Sequence, residues 1–212
     1  MAFEPNDEVS GEREPGNEIH RGDIGKVHYR IYRNVNQKTG VYYRIKFFRS
    51  EQNADGSKKW LAKSYFHEDL VNVAKAATAS HIWLSDNTDY VPGPAETVFP
   101  KFNPVRGPDK KEPVHEFQAG NVLASIWENT SRRTGKLYYK SSFRRGELDG
   151  GQEMVWNNFR PEDTSHLAQA TTICRKWLAD RRGELQRNDV MKEEGEEKRL
   201  AKRKPRRTAN EA

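Results

Sequence analysis

The chain contains two similar stretches, residues 18–84 and 116–178. Each starts with Glu-apolar-x-x-Gly, which aligns Gly22 with Gly120, and continues with an alternating segment, a Thr-Gly pair and a Tyr-rich segment that ends Phe-x-Arg. Each finishes in a segment of helical periodicity whose last residues are Trp-Leu. Self-similarity over this length is typical of a supersecondary unit that occurs more than once. The sequence therefore predicts two tandem modules of one kind.

The first part of each module has the pattern of a half-buried antiparallel sheet. In the first copy, Val27, Tyr29 and Ile31 alternate with polar residues, and a period of two places them on one buried face. A second strand with the same alternation follows. Asp55-Gly56 marks a hairpin turn because both residues tolerate positive φ. We predict a third strand after this turn, in which Lys63 and Tyr65 face away from the buried side.

The end of each module changes to the period of a helix. Apolar residues recur at spacings of three and four, which predicts an amphipathic helix over the buried face of the sheet. The predicted buried stripes are Leu70, Val73, Ala74, Ala77, His81 and Leu84 in the first copy and Leu167, Ala170, Cys174, Trp177, Leu178 and Arg181 in the second. The predicted fold class is therefore α+β, with two tandem modules, each an antiparallel three- to four-stranded sheet followed by one helix packed on one face.

The stretches outside the modules differ from them in composition. Six of the ten prolines lie between residues 86 and 115, and proline fixes φ and cannot donate a backbone hydrogen bond, so this stretch is predicted to be an extended linker. Its apolar residues, Tyr90 and Phe102 among them, are candidates for docking on a module. The predicted organisation is an acidic disordered head at residues 1–17, module one at 18–86, the proline-rich linker at 87–114, module two at 115–182 and a charged basic tail, expected to be mobile, at 183–212.

The charge balance favours a polyanionic partner. The net charge is +6 and the isoelectric point is about 9.3, which suits nucleic acid or an acidic membrane surface. No run of about 18 apolar residues exists to span a membrane. The acidic first residues do not have the pattern of a secretory signal. We therefore expect a cytoplasmic protein, nucleoid-associated if bacterial, with no membrane partner.

The sheet face opposite the predicted helix carries cations interleaved with aromatic residues. Cations contact phosphates and aromatic rings stack unpaired bases, so this face is predicted to bind single-stranded nucleic acid, and these residues do not distinguish DNA from RNA. The predicted binding residues are Lys26, His28, Arg30, Tyr32, Tyr42, Arg44, Lys46, Phe48, Lys63 and Tyr65 in the first module, Trp127, Tyr138, Lys140 and Arg144 in the second, and Lys202, Arg203 and Lys204 in the tail. The alternatives are a solvated face, a face packed against the other module or a second chain, and a protein-interaction or scaffold module.

Several of these segments resemble a known family. They are Gly25-Lys26, Tyr29-Arg30-Ile31, the strand Tyr43-Arg44-Ile45-Lys46-Phe47, the Asp55-Gly56 turn and the closing helix. Together they resemble the single-stranded-DNA-binding transcriptional coactivator fold of the Positive Cofactor Four type. The resemblance implies a curved antiparallel sheet followed by a helix, dimerisation, and sequence-independent binding of single-stranded DNA through the sheet. Two copies in one chain would then pair as a pseudo-dimer.

A second resemblance is to short uncharacterised bacterial proteins of β-β-β-α type. It rests on Phe66, Asp69, Leu70, Ala74, Lys75, Ala77, His81 and Trp83. This likeness supports the module and implies no function.

The sequence offers no constellation for catalysis or metal binding. The six histidines are scattered without metal-ligand spacing, and Cys174, the single cysteine, excludes an intrachain disulfide. No phosphate-binding or dinucleotide-binding glycine pattern is present. We therefore predict a protein that is not an enzyme and needs no cofactor or metal.

Overall fold

The computed structural model describes residues 17–38, 40–53, 55–61, 64–91, 101–102, 111–149 and 152–202, without the side chains of 147–149, 152–153 and 186–202. This part of the chain has an α+β architecture with two antiparallel four-stranded sheets. The strands are β1 (Glu18–Ile24), β2 (Val27–Asn36), β3 (Gly40–Gln52), β4 (Lys58–Leu61), β5 (His115–Ala119), β6 (Val122–Thr130), β7 (Leu137–Asp149) and β8 (Gln152–Trp156). The helices are α1 (Leu70–Asn87), preceded by a short 3-10 turn at His67–Asp69, and α2 (Asp163–Lys202).

The first sheet has the strand order β1-β2-β3-β4. Val27, Ile31 and Ile45 are buried and lie on one face, as the alternation predicts. The predicted third strand is wrong in position, because β4 ends at Leu61. Tyr65 lies beyond β4 and pairs with the second sheet instead. Lys63 is outside the described residues.

The second sheet repeats the first in the order β5-β6-β7-β8. Val27 pairs with Arg49 and Val122 pairs with Arg145, so the two hairpins share one register. In that register Gly120 corresponds to Gly25, because each forms the tight turn after the first strand, with φ of 53° and 62°. The predicted alignment of Gly120 with Gly22 is therefore wrong. Gly22 lies inside β1, where a Cβ would come within 2.4 Å of the Tyr29 ring.

Helix α1 packs against β1, β2 and β3 and covers the buried face of the first sheet. Its buried residues are Leu70, Val73, Ala76, Ala77, Ser80 and Leu84. The stripe is thus rotated slightly from the predicted one, since Ala74 and His81 are only half-buried.

Helix α2 begins at Asp163 and ends at Lys202, so it continues through Gly183, where the predicted tail begins. Glu, Lys and Arg are good helix formers, and no proline occurs before Pro205 to end the helix. The chain from Lys176 onward forms a separate compact unit. The rest of the predicted tail, residues 203–212, lies outside the described residues.

In the first unit, residues 1–175, one residue of each half pairs with an inner strand of the other half's sheet, β7 or β3. Tyr65 exchanges two backbone hydrogen bonds with Ser141 of β7, at N···O distances of 2.9 and 2.8 Å. Phe159 does the same with Ile45 of β3, at 2.7 and 2.9 Å. Tyr65 and Phe159 both lie four residues before the aspartate at a helix start, so the two exchanges are equivalent.

Equivalent ion pairs are buried in the two halves. Arg49 Nε lies 2.6 Å from Asp69 Oδ2, and Arg145 Nε lies 3.7 Å from Asp163 Oδ2. Each aspartate also accepts a hydrogen bond from the backbone N–H three residues earlier, at 2.9 Å from Phe66 and 2.7 Å from Arg160. Burial raises the pKa of Asp163 to about 6 despite these favourable contacts.

Most of the predicted head, residues 1–16, and much of the linker, residues 92–100 and 103–110, lie outside the described residues. Within the described part, no helix is long and apolar enough to cross a membrane.

Candidate nucleic-acid interface

The side of the first sheet turned away from α1 is called here the first open face. Residues that pair directly across antiparallel strands share a face, so Arg30 lies with Lys46, Tyr32 with Arg44, and His28 with Phe48. The first open face consists of Arg21, Asp23, His28, Arg30, Tyr32, Tyr42, Arg44, Lys46, Phe48, Ser50 and Trp60.

Three cations of this face lie over aromatic rings. The Arg30 guanidinium is 5.4 Å from the centre of the Phe48 ring and 5.9 Å from that of Trp60. Lys46 Nζ lies 5.1 Å from the centre of the Tyr32 ring. The Arg44 guanidinium lies 5.2 Å from the centre of the Tyr42 ring. Cations and rings therefore alternate across the three strands β2, β3 and β4.

The prediction that the aromatic residues are exposed is wrong for part of this face. Tyr32 is 5% exposed, Phe48 7% and His28 9%. Cationic side chains and neighbouring rings lie over these residues, which a strand pattern does not reveal. Tyr42 and Trp60 are half-buried, and Arg44 is exposed.

A short hydrogen-bond network fixes the His28 ring. His28 Nδ1 lies 2.5 Å from Asp23 Oδ1, and Nε2 lies 2.8 Å from Ser50 Oγ. This is the order of groups by which a base activates a serine nucleophile. The Ser50 N–H, however, donates to the Lys26 carbonyl at 2.9 Å, so it is not available to stabilise an oxyanion.

Acidic groups moderate the charge at one edge of the face. Glu18 lies 2.8 Å from Arg21 Nε and 3.6 Å from an Arg30 terminal nitrogen. The positive charge of the face is therefore concentrated on the β3 side, at Arg44 and Lys46.

Two predicted residues of the first module lie away from the open face. Lys26 is exposed in the turn between β1 and β2. Tyr65 is 3% exposed, and its ring lies 5.9 Å from that of Phe143. Burial raises the pKa of the Tyr65 hydroxyl. The prediction that Tyr65 belongs to an exposed face is wrong, because its backbone pairing turns it toward the buried side of the second sheet.

The equivalent side of the second sheet is called the second open face, and it includes all four residues predicted there. Trp127, Tyr138, Lys140 and Arg144 are half-buried on it. Trp127 Nε1 donates to Ser142 Oγ at 3.1 Å. Ser125 and Ser142 stand where the first open face has Arg30 and Lys46. The second open face is therefore less cationic.

The linker residue Phe102 covers part of the second open face. It is 4% exposed, and its N–H donates to Gln118 Oε1 at 3.0 Å. Its ring lies where a Cβ on Gly146 would be, 2.5 Å from that position. This docking fulfils the expectation that an apolar linker residue contacts a module.

Of the predicted tail residues, Lys202 is the last residue of α2. Arg203 and Lys204 lie outside the described residues. The side chain of Lys202 is also not described, so the tail adds nothing to the geometry of the interface.

Sequence reasoning missed Trp60, which lies opposite Ser50 on the first open face. Counting outward from Asp55-Gly56 as a two-residue turn pairs Ser50 with Leu61, one position away from the observed partner Trp60, so the turn signal alone does not place Trp60 on this face. The buried partners Arg49 and Asp69 were also missed as a pair. Charged residues at these positions gave no indication of burial.

Other chemistry is limited in the described part of the chain. No group of three His, Cys, Asp or Glu residues there is placed to hold a metal. Burial raises the pKa of the Cys174 thiol to about 12, which disfavours a reactive thiolate. No protein-family model, no curated protein and no solved structure matches this chain.

Proposed function

We propose that this protein binds single-stranded nucleic acid through the first open face, DNA in preference to RNA and largely without sequence preference. The observation that carries the proposal is the set of cations, Arg30, Arg44 and Lys46, that lie over aromatic rings. Cations of this kind contact phosphates, and the rings beneath them stack unpaired bases. Bases of a duplex are already stacked, so a single strand is favoured.

The energies of the exchanged contacts favour binding. Arg44 is exposed, so its cation–π contact with Tyr42 is worth about 0.5–1 kcal/mol, whereas stacking of one base on a ring contributes about 1–3 kcal/mol. A nucleic-acid strand whose phosphates draw Arg44 away from the Tyr42 ring therefore gains more free energy than it loses. Tyr42 and Trp60 are the rings on which the first bases stack, because they are half-buried rather than fully covered.

We also propose that the two halves are copies of one module, each with its helix on the inner face of its sheet, and form the intramolecular counterpart of a dimer. The reciprocal hydrogen bonds of Tyr65 with Ser141 and of Phe159 with Ile45 support this, because equivalent residues make equivalent contacts across a two-fold interface. The resemblance to the Positive Cofactor Four type leads to the same expectation. In this arrangement the second open face binds more weakly, since it has fewer cations.

Fluorescence anisotropy with a labelled single strand, its duplex and the matching RNA tests the proposal, using the full-length protein over a range of salt concentrations. The test variant is Arg30→Gln, Arg44→Gln, Lys46→Gln. The matched control is Lys75→Gln, Arg133→Gln, Arg175→Gln, which removes the same charges from exposed positions elsewhere. We expect the test variant to lose about 10- to 100-fold in affinity and its salt slope to fall by about 2, at roughly 0.7 per phosphate contact.

The control variant is expected to bind within about threefold of the unmodified protein, since only general attraction is reduced. Equal losses of affinity in the two variants would mean that binding depends on the overall positive charge and not on the first open face. No salt-dependent binding by the unmodified protein would overturn the proposal in favour of a protein-interaction module.

A further inference from the structure

A cavity of about 540 Å³ lies at the end of the β2–β3 hairpin, beside the first open face. Its walls come from three segments that are distant in sequence: the hairpin, the residues after α1 and the residues before α2. The lining residues used below are Tyr42, Arg44, Asp89, Tyr90, Arg160 and Glu162.

The wall formed by Tyr90 is held in place by several contacts. The Tyr90 N–H donates to Thr88 Oγ1 at 3.1 Å, and its ring meets that of His81 edge-on at 5.9 Å. His81 Nδ1 in turn lies 3.1 Å from Thr164 Oγ1. The cavity is therefore bounded by packed groups of both halves.

We propose that this cavity holds one unpaired nucleotide of the bound strand, at the end of the first open face. The inference rests on the proposed function and extends it, because Tyr42 and Arg44 belong to both the face and the cavity. A nucleic-acid strand that lies along β3 and contacts Lys46 and then Arg44 reaches the cavity without crossing another element.

The lining groups fit the two ends of a nucleotide. Arg44 and Arg160 supply guanidinium groups for a phosphate. Tyr42 and Tyr90 supply rings against which a base can stack. The volume is within the range of small-molecule sites, about 300–1,000 Å³.

The carboxylates in the cavity argue against a simple anion as the occupant. Asp89 accepts a hydrogen bond from the Tyr43 hydroxyl, and Glu162 lies 3.9 Å from Arg160. A bare phosphate would meet repulsion from both carboxylates. A nucleotide places its phosphate on the arginines and offers the N–H donors of its base to a carboxylate.

The equivalent position beside the second sheet is filled differently. By the register of the two helix starts, Phe66 of the first half corresponds to Arg160 of the second half. The Phe66 ring lies 6.0 Å from that of Tyr138, and Lys140 Nζ lies 5.6 Å from the centre of the Phe66 ring. An apolar ring beside the second sheet thus corresponds to a guanidinium beside the first.

The test compares the full-length protein with Arg160→Phe, which introduces the residue found at the equivalent position, Phe66, and with the control Arg175→Gln. The Arg160 side chain is 47% exposed, so its replacement need not disturb folding, and a thermal melt checks this. Calorimetry with deoxyadenosine monophosphate, deoxyadenosine and inorganic phosphate probes the cavity alone. Photocrosslinking with an oligothymidylate that carries 4-thiothymidine probes the bound strand.

We expect the monophosphate to bind at least tenfold better than deoxyadenosine or phosphate, and Arg160→Phe to lose that binding while Arg175→Gln retains it. Crosslinks to the peptide with Tyr90 should form in the unmodified protein and disappear in Arg160→Phe, whereas crosslinks to the peptide with Tyr42 should persist, because Tyr42 also belongs to the first open face. Equal monophosphate binding by all three proteins, or none by any, would overturn the cavity proposal. Oligonucleotide binding in that case would leave the proposed function standing. Monophosphate binding without oligonucleotide binding would overturn the proposed function and leave the cavity as a site for a free nucleotide.

Discussion

The two halves of the molecule agree in their interiors and differ on their open faces. They share the hairpin register, the glycine turn after the first strand and a buried Arg–Asp pair at the helix start. On the open faces, Arg30 and Lys46 correspond to Ser125 and Ser142, and among the described linker residues Phe102 covers part of the second face. These shared features belong to the turn, the register and the helix start, whereas the open faces differ in charge. Under the proposed function, this difference places the stronger binding surface on the first half.

The buried ion pairs give the largest expected difference between the halves. Asp69→Asn removes the buried carboxylate beside Arg49 Nε and leaves the Arg49 guanidinium with Glu51 as its carboxylate partner, and should lower the free energy of unfolding by about 2–3 kcal/mol. Asp163→Asn should cost about 1 kcal/mol, because its carboxylate lies 3.7 Å from Arg145 and is already penalised by burial. Urea denaturation measures both. Equal losses would mean that the two helix starts are energetically equivalent despite their distances.

The covering of the second open face can be tested by Phe102→Ala. Removal of this buried ring should lower the free energy of unfolding by about 2 kcal/mol, less than for a phenylalanine in the main core. Val91→Ala is the control, since Val91 is an apolar residue of the linker that is 80% exposed, and its truncation should cost almost nothing. A thermal melt of each variant compares them. If both variants melt as the unmodified protein does, Phe102 does not hold the linker on the sheet.

A pH dependence of stability also follows from the buried Asp163. Its pKa is raised from 3.8 to about 6, so the folded state holds the proton more tightly than the unfolded state does. The resulting stability is fully present below pH 3.8 and is lost as the pH rises through 6, on the order of 3 kcal/mol. Urea denaturation of the protein and of Asp163→Asn between pH 4 and 7 isolates this contribution. Parallel curves for the two proteins would show that Asp163 does not titrate in this range.

The sequence was sufficient for the strands whose residues alternate. The faces of β2 and β3 were predicted, and the glycines of the Thr39-Gly40 and Thr134-Gly135 turns have positive φ. Alternation and turn chemistry are local properties, so they can be seen in a single sequence. The strand β1 and its pairing with β2 were not predicted, because Gly120 was aligned with Gly22 and the turn at Gly25 was not recognised.

The contacts that depend on tertiary packing could not be predicted. Tyr32 and Phe48 were correctly placed on the open face, but cationic side chains from neighbouring strands bury them. Tyr65 was assigned to a local strand although its partner, Ser141, is far along the chain. Burial of Arg49 depends on the position of Asp69, which neither residue indicates alone.

The reciprocal pairing has a consequence for how the chain folds during synthesis. When the first half leaves the ribosome, the edge of β3 near Ile45 has no partner until Phe159 has been made. An unpaired strand edge is a surface on which other chains can add. The linker keeps the second half close once it emerges, so the intramolecular partner competes at a high effective concentration with any neighbouring chain. A hinge that opened this pairing would allow two chains to exchange halves.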